Sequence, residues 1–310
     1  MTAFTARDDG FHFAEMGDAW WMTETSWFSF CHPGRRLGGW FYTLARPNIG
    51  TVAGGAWIWD DSAHLPWEVL YSRNYSAMPL PRDRDLTDIT LPTGVSIRVI
   101  EPGMSYRLGF EDEDRLRVGL RFDGVMPPRP LSRAGSPFGK ASHYDQFGRV
   151  TGELHIGGES IAIDCLAMRD RSWGPRPEHR PHKSAYVTGI ASPRDGFLAV
   201  TGRGEQSGDI AYGFLLRDGE IADLASGRRT VERDPAQGWV TRITIEAVDG
   251  LGRRLHAVGT RLSGIIINRH SFIDSNGLIE WSIDGKTGHG EDQDMWPVHD
   301  WAAFRRAAAR

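Results

Sequence analysis

Two short segments hold the side chains best suited to moving protons. His143-Tyr144-Asp145-Gln146 offers an imidazole, a phenol and a carboxylate, and Arg169-Asp170-Arg171-Ser172-Trp173-Gly174-Pro175-Arg176 sets one carboxylate among three arginines. A carboxylic acid in an apolar, Trp-lined cavity stays protonated because burial disfavours its charged form. It can then act as a general acid. With aromatic faces for neighbours, the matching substrate is an alkene or another hydrocarbon-like proton acceptor, and the same faces stabilise a developing cation. A purely structural role for these residues is equally open: Asp170 pairs with Arg169, Arg171 or Arg176, and Trp173 plugs the end of a barrel.

Other chemistries lack a motif. The sequence has no G-x-x-x-x-G-K-[ST], no G-x-G-x-x-G opening a helix, no G-x-S-x-G and no H-E-x-x-H, so phosphate cradling, dinucleotide binding, serine hydrolysis and zinc proteolysis are unsupported. His179 and His182 are separated by Pro181, which breaks any helix that would align them, so a polar surface loop is expected there. Cys31 and Cys165 are the only cysteines, too few for a disulfide framework or a four-thiolate zinc site. Neither a metal nor a cofactor is expected.

The elements that must position the two clusters are strands. Val150 to His155 alternates as a strand, Gly157-Gly158 turns the chain, and Ser160 to Met168 returns as a second strand leading into Asp170. Such a hairpin brings the clusters together. Along the second strand Leu166, Met168 and Asp170 share one face, while Cys165, Ala167, Arg169 and Arg171 share the other. Both faces are apolar upstream, so the pattern alone leaves the buried side open.

The same alternation runs through the chain. Leu116, Val118, Leu120 and Phe122 interleave with Arg115, Arg117, Gly119 and Arg121, and Val95-Ile97-Val99 and Ile243-Ile245-Ala247 repeat the pattern. Asp218-Gly219, Asp249-Gly250 and Asp284-Gly285 mark further turns. The 37 glycines in 310 residues exceed the usual ~7%, and 12 tryptophans accompany them. This composition predicts an all-β protein of antiparallel meanders. Only Val298 to Arg310 reads as a helix, with Asp300 as its cap and Trp301 and Phe304 on one face. The Pro-rich stretch Met126 to Ser142 has no strand period and reads as a linker, placing a boundary near residue 140 between domains 1–140 and 141–310.

A formal net charge of -4 carries no chain-wide footprint for nucleic acid. No apolar run approaches the roughly 18 residues of a membrane span, and the N-terminus has no export signal. A cytoplasmic protein is expected.

The stretch Ala167-Met168-Arg169-Asp170-Arg171-Ser172-Trp173-Gly174-Pro175-Arg176 resembles the central signature of the carotenoid 1,2-hydratase/AttH-like proteins. His143-Tyr144-Asp145-Gln146 with Gly148-Arg149-Val150, Gly39-Trp40-Phe41-Tyr42 with Arg46-Pro47-Asn48, and Glu280-Trp281 with Gly288-His289-Gly290 agree with it in order along most of the chain. The resemblance implies two consecutive lipocalin-like β-barrel or sandwich domains with a hydrophobic pocket. It implies a cofactor-independent lyase, hydratase, isomerase or cyclase acting on a terpenoid-, steroid- or aromatic-type molecule. Asp170 is the matching acid, and His143 or Tyr144 would position water or remove a proton. Trp173, Trp40, Trp57 and Tyr186 are the candidate substrate-binding aromatics. Arg169 and Arg171, which flank the acid here, could keep it ionised. The expected partner is a hydrophobic small molecule, with a homodimer as the one protein partner considered. The competing functions are a non-catalytic carrier of a hydrophobic ligand and, with less support, carbohydrate binding by exposed Trp.

Overall fold

The computed structural model describes residues 4–15, 17–130, 142–176, 182–202, 208–269 and 272–308. The chain forms two compact units. The first comprises Met1–His32, Gly38–Ile58 and Leu70–Pro177, and the second Pro33–Leu37, Trp59–Val69 and Glu178–Arg310.

In the first unit the strands are β1 (Met22–His32), β2 (Leu37–Arg46), β3 (Thr51–Trp59), β4 (Tyr71–Pro79), β5 (Asp88–Thr90), β6 (Val95–Glu101), β7 (Ser105–Asp112), β8 (Leu116–Gly124), β9 (Arg129–Pro130), β10 (Ser142–Ile156) and β11 (Glu159–Pro175). They form one curled antiparallel sheet in the order β4-β3-β2-β1-β11-β10-β8-β7-β6-β5, with β9 paired to β10. The expected alternation is realised in β8, where Leu116, Val118, Leu120 and Phe122 are buried and Arg117, Gly119 and Arg121 are exposed.

The long β10–β11 hairpin corrects the expected domain boundary. It lies between β1 and β8 in the first sheet, so the first unit extends to Pro177 and does not end near residue 140. Residues 131–141 of the expected linker lie outside the described residues. Proline and glycine content marks an irregular segment, but only strand pairing decides which sheet the chain enters next.

The second unit is a closed barrel of β12 (Ser184–Ser192), β13 (Asp195–Thr201), β14 (Ile210–Arg217), β15 (Glu220–Arg233), β16 (Val240–Asp249), β17 (Arg254–Arg269), β18 (Phe272–Ile283) and β19 (Lys286–Pro297), in sequence order. Antiparallel pairing of β12 with β19 closes it, which removes the sheet edges. Phe197, Leu215, Ile243, Ile245, Ala257, Ile279 and Trp281 belong to its apolar core. Helix α1 (Val298–Ala308) follows, and Trp301 and Phe304 pack on Trp296 at ring distances of 5.6 and 5.3 Å. Asp300 lies inside its first turn and not at the cap. There it still favours the helix, because its charge opposes the N-terminal end of the dipole.

The fold class read from composition and alternation is therefore the observed one, all-β, built as a curled antiparallel sheet and a closed eight-stranded antiparallel barrel with a C-terminal helix. No described helix is long and apolar enough to cross a membrane.

Candidate functional site

The site begins with a turn. Gly157 and Gly158 have φ of 59° and 80°, the left-handed pair that a two-residue hairpin of this hand requires and glycine supplies without strain. This turn pairs Ile156 with Glu159, and the ladder continues unbroken to Asp145 opposite Asp170 and His143 opposite Ser172. On the other side of β11, β1 sets Trp27 opposite Asp170 and Thr25 opposite Ser172. Directly paired residues project to the same side of a sheet. One face thus carries Thr25, Trp27, His143, Asp145, Asp170 and Ser172. The opposite face carries Glu24, Phe28, Tyr144, Gln146, Arg169, Arg171 and Trp173.

On the first face, His143 Nε2 lies 2.8 Å from Asp145 Oδ1, and both side chains are buried. One ligand-type atom from each of His143, Asp145 and Asp170 lies within 4.8 Å of the others. Burial opposes the His143 imidazolium, but Asp145 and then Asp170 outweigh it and hold the ring above its ordinary pKa, with Arg176 acting in the opposite sense. Asp170 is half-buried. Beside it the Thr25 and Ser172 hydroxyls share a 2.7 Å hydrogen bond, and Arg176 Nη2 donates to Ser172 Oγ at 2.7 Å. Trp27 meets Trp40 edge-on at 5.5 Å, and Trp40 meets Trp57 at 6.3 Å. These rings extend an aromatic surface from the residue opposite Asp170.

An imidazole and two carboxylates are also a donor set that a divalent transition metal accepts, and these three residues are the ones that would hold such an ion. The His143–Asp145 contact is the length of a charge-assisted hydrogen bond.

The opposite face explains where the arginines go. Arg169 is fully buried in an aromatic cage, its guanidinium 4.0 Å from the Tyr106 ring centroid and 5.0 Å from that of Tyr144. It donates to Gln146 Oε1 at 2.6 Å and to the Tyr144 hydroxyl at 3.2 Å, with Asp9 Oδ1 3.7 Å away. Asp9 in turn accepts from the Tyr106 hydroxyl and the Gly103 N–H. Arg171 donates to the Glu24 carboxylate, to Gly10 O at 2.8 Å and to Thr25 O at 3.0 Å. Neither arginine pairs with Asp170, because strand alternation turns both away from it. The expected pairing of Asp170 with Arg169 or Arg171 is corrected on that ground.

Tyr144 and Trp173 also leave the Asp170 side. Tyr144 joins the Arg169 cage, where burial pushes its hydroxyl up to about 12. Trp173 stacks on His12 at 3.8 Å and 4°. Tyr186 belongs to β12 of the second unit and is buried there. The structure therefore gathers Asp170 and His143 on one face, links Trp40 and Trp57 to it through Trp27, and places Tyr144, Trp173 and Tyr186 elsewhere. Of the expected histidine pair, His179 lies outside the described residues.

The family model described as a domain of unknown function, DUF7064, matches residues 5–297. The chain belongs to the DUF7064 family. No curated protein matches it in sequence. Among solved structures, this DUF7064 chain is similar to a protein assigned as AttH from Nitrosomonas europaea, with 14% identity, a TM-score of 0.59 and coverage of 95% of this chain and 97% of that one. It is similar to kievitone hydratase from Nectria haematococca, with 10% identity, a TM-score of 0.59 and 96% of each chain covered. It is also similar to CghA in complex with Sch210972, with 12% identity, a TM-score of 0.56 and 91% and 92% of the two chains covered. At these identities the likeness is one of fold, and at that level the AttH- and hydratase-like resemblance holds.

Trp27 and Thr25 of the DUF7064 site had no prominence in the sequence, and Asp145 and Ser172 stood in the two polar segments without an assigned role. The hairpin register aligns Asp145 and Ser172 with the site, and the β1–β11 pairing aligns Trp27 and Thr25. The first alignment could have been read from the glycine turn, but the second is long-range. A further charged cluster lies in the second unit. Arg229 bonds Asp292 at 2.7 and 3.0 Å, and Arg233 bonds Asp294 at 2.6 Å. Burial alone would raise Asp294, but Arg229 and Arg233 bring it down to about 2. These carboxylates are paired, and their arrangement is that of a buried ion network.

His143 yields a direct expectation. Its imidazole should titrate above the ordinary histidine value near 6.5 in an NMR pH series, and Asp145→Asn should lower that midpoint. Because the folded value is raised, the stability contributed by the pairing is complete below the ordinary value and is lost as pH rises through the folded one. A wild-type midpoint at or below 6.5 would contradict the pairing.

Proposed function

We propose that this protein is a cofactor-independent acid-base catalyst, of hydratase, isomerase or cyclase type, acting on a hydrophobic terpenoid-, steroid- or aromatic-type substrate. The observation that carries the reading is the gathering of Asp170, His143 and Asp145 on one face, with Trp27 directly opposite Asp170. Asp170, protonated through His143, gives that proton to one carbon of a double bond. The neighbouring carbon becomes cationic, and an aromatic face stabilises it. In hydration, water then adds to the cation and its surplus proton returns to the cluster. In isomerisation or cyclisation, the cation loses a proton from carbon to the same cluster. The protons balance in each case. His143 restores the proton on Asp170, and Asp145 orients the ring through their 2.8 Å bond.

The fold relatives support this reading at a coarser level. One is named a hydratase, and another was crystallised with Sch210972. Mass spectrometry of organic extracts from the purified protein is expected to recover an apolar unsaturated compound, converted on re-addition to fresh enzyme. Recovery of such a compound unchanged after prolonged incubation would make the protein a carrier. An apolar ligand of this class should also quench the intrinsic Trp fluorescence at micromolar concentration, whereas a short sugar should not. The reverse ranking would favour carbohydrate binding.

A further inference from the structure

Cys31 and Cys165 are far apart in sequence, and the fold brings them into contact on neighbouring strands of the first unit. The Cys31 backbone N–H donates to Cys165 Sγ at 3.3 Å. Both thiols are reduced, Cys31 buried and Cys165 half-buried. They lie on the antiparallel strands β1 and β11, Cys31 three residues after Phe28 and Cys165 four before Arg169, just beyond the last aligned pair. From this juxtaposition we propose that Cys31 and Cys165 form a peroxide-oxidisable pair in which Cys165 is the attacking thiol and Cys31 the resolving one.

The surroundings of Cys165 fit the attacking role. The Cys31 thiol and then the Cys31 backbone N–H bond its sulfur, which holds it below the ordinary thiol range although burial acts in the opposite direction. The thiolate is the nucleophilic form. Cys165 sulfur attacks one oxygen of hydrogen peroxide, an S–O bond forms, the O–O bond breaks, and the departing hydroxide takes a proton to leave as water. The Cys31 thiol then attacks the Cys165 sulfenic sulfur. The S–S bond forms, the S–O bond breaks, and the hydroxide leaves with the Cys31 proton as a second water. Two thiols and one peroxide give one disulfide and two waters. The link would tie β1 to β11, the strand pair that places Trp27 opposite Asp170.

The test treats the folded, full-length protein with hydrogen peroxide, then alkylates the remaining thiols and maps the peptides. Both thiols should disappear together, and a peptide pair joined through Cys31 and Cys165 should appear and be reversed by dithiothreitol. Cys31→Ser should leave Cys165 halted as a sulfenic acid that dimedone captures. Cys165→Ser should leave Cys31 alkylatable. Persistence of both thiols under peroxide that oxidises free cysteine would overturn the proposal, as would oxidation of Cys165 beyond sulfenic acid without linkage. Loss of Cys31 at the wild-type rate in Cys165→Ser would overturn the assigned roles. The wild-type peptide map decides the matter even where a serine variant fails to fold.

Discussion

Asp170→Asn is expected to lower turnover by about 10²–10⁴-fold, the usual contribution of general acid catalysis, while folding and apolar-ligand affinity are retained. The amide keeps the shape of the acid and removes its transferable proton. Neither Arg169 nor Arg171 should lose a partner, because neither pairs with Asp170. Arg169 sits in the Tyr106 and Tyr144 cage, and Arg171 bonds Glu24 on the other face. His143 and Asp145 retain their bond to each other. The loss should therefore fall on kcat with little change in KM. A stable variant with full activity would remove Asp170 from the chemistry and leave His143 as the proton donor on that face.

The second large effect is on stability. Glu24→Gln should destabilise the first unit by about 3–5 kcal/mol, because removing one partner of a buried ion pair leaves the other charge uncompensated. Among the described residues, the other groups that Arg171 bonds are the Gly10 and Thr25 carbonyls and, more distantly, that of Ser172. For a unit of this size the thermal transition should move down by roughly 6–20 °C. The wild-type pair also predicts acid sensitivity. Burial alone would raise Glu24, but the Arg171 charge and the hydrogen bonds from His12 and Arg171 bring it below the ordinary glutamate value. A lowered folded value means that the contribution is present above the unfolded value and is lost as pH falls through the folded one. Glu24→Gln should flatten that acid limb in a thermal melt series. An unchanged midpoint and an unchanged acid limb would show that the pair contributes nothing net.

How far the site could be read from sequence follows from the range of each interaction. The β8 alternation and the Gly157-Gly158 turn are local, and they specify strands and one hairpin correctly. The same turn fixes Asp145 against Asp170, since a two-residue loop leaves one register. The β1–β11 pairing joins segments from opposite ends of the first unit, and nothing local encodes it. That pairing brings in Trp27 and Thr25, assigns the hairpin to the first sheet, and moves the unit boundary from residue 140 to Pro177. The fate of the arginines was half legible. Alternation alone puts Arg169 and Arg171 opposite to Asp170, but their partners Asp9 and Glu24 come from the N-terminal segment and β1. Trp173 follows the same parity, which is why it stacks on His12 and does not line the Asp170 face.

The central claim is that a proton from this cluster is delivered to carbon. The most direct measurement is to incubate the apolar unsaturated compound extracted from the purified protein with enzyme in D₂O, and to locate deuterium in the product by NMR and mass spectrometry. Wild-type enzyme is expected to give a product with one deuterium bound to carbon at the former double bond, and Asp170→Asn to give that product at a rate lower by about 10²–10⁴-fold. Conversion by wild-type enzyme with no carbon-bound deuterium, or equal incorporation rates in the two proteins, would contradict the account.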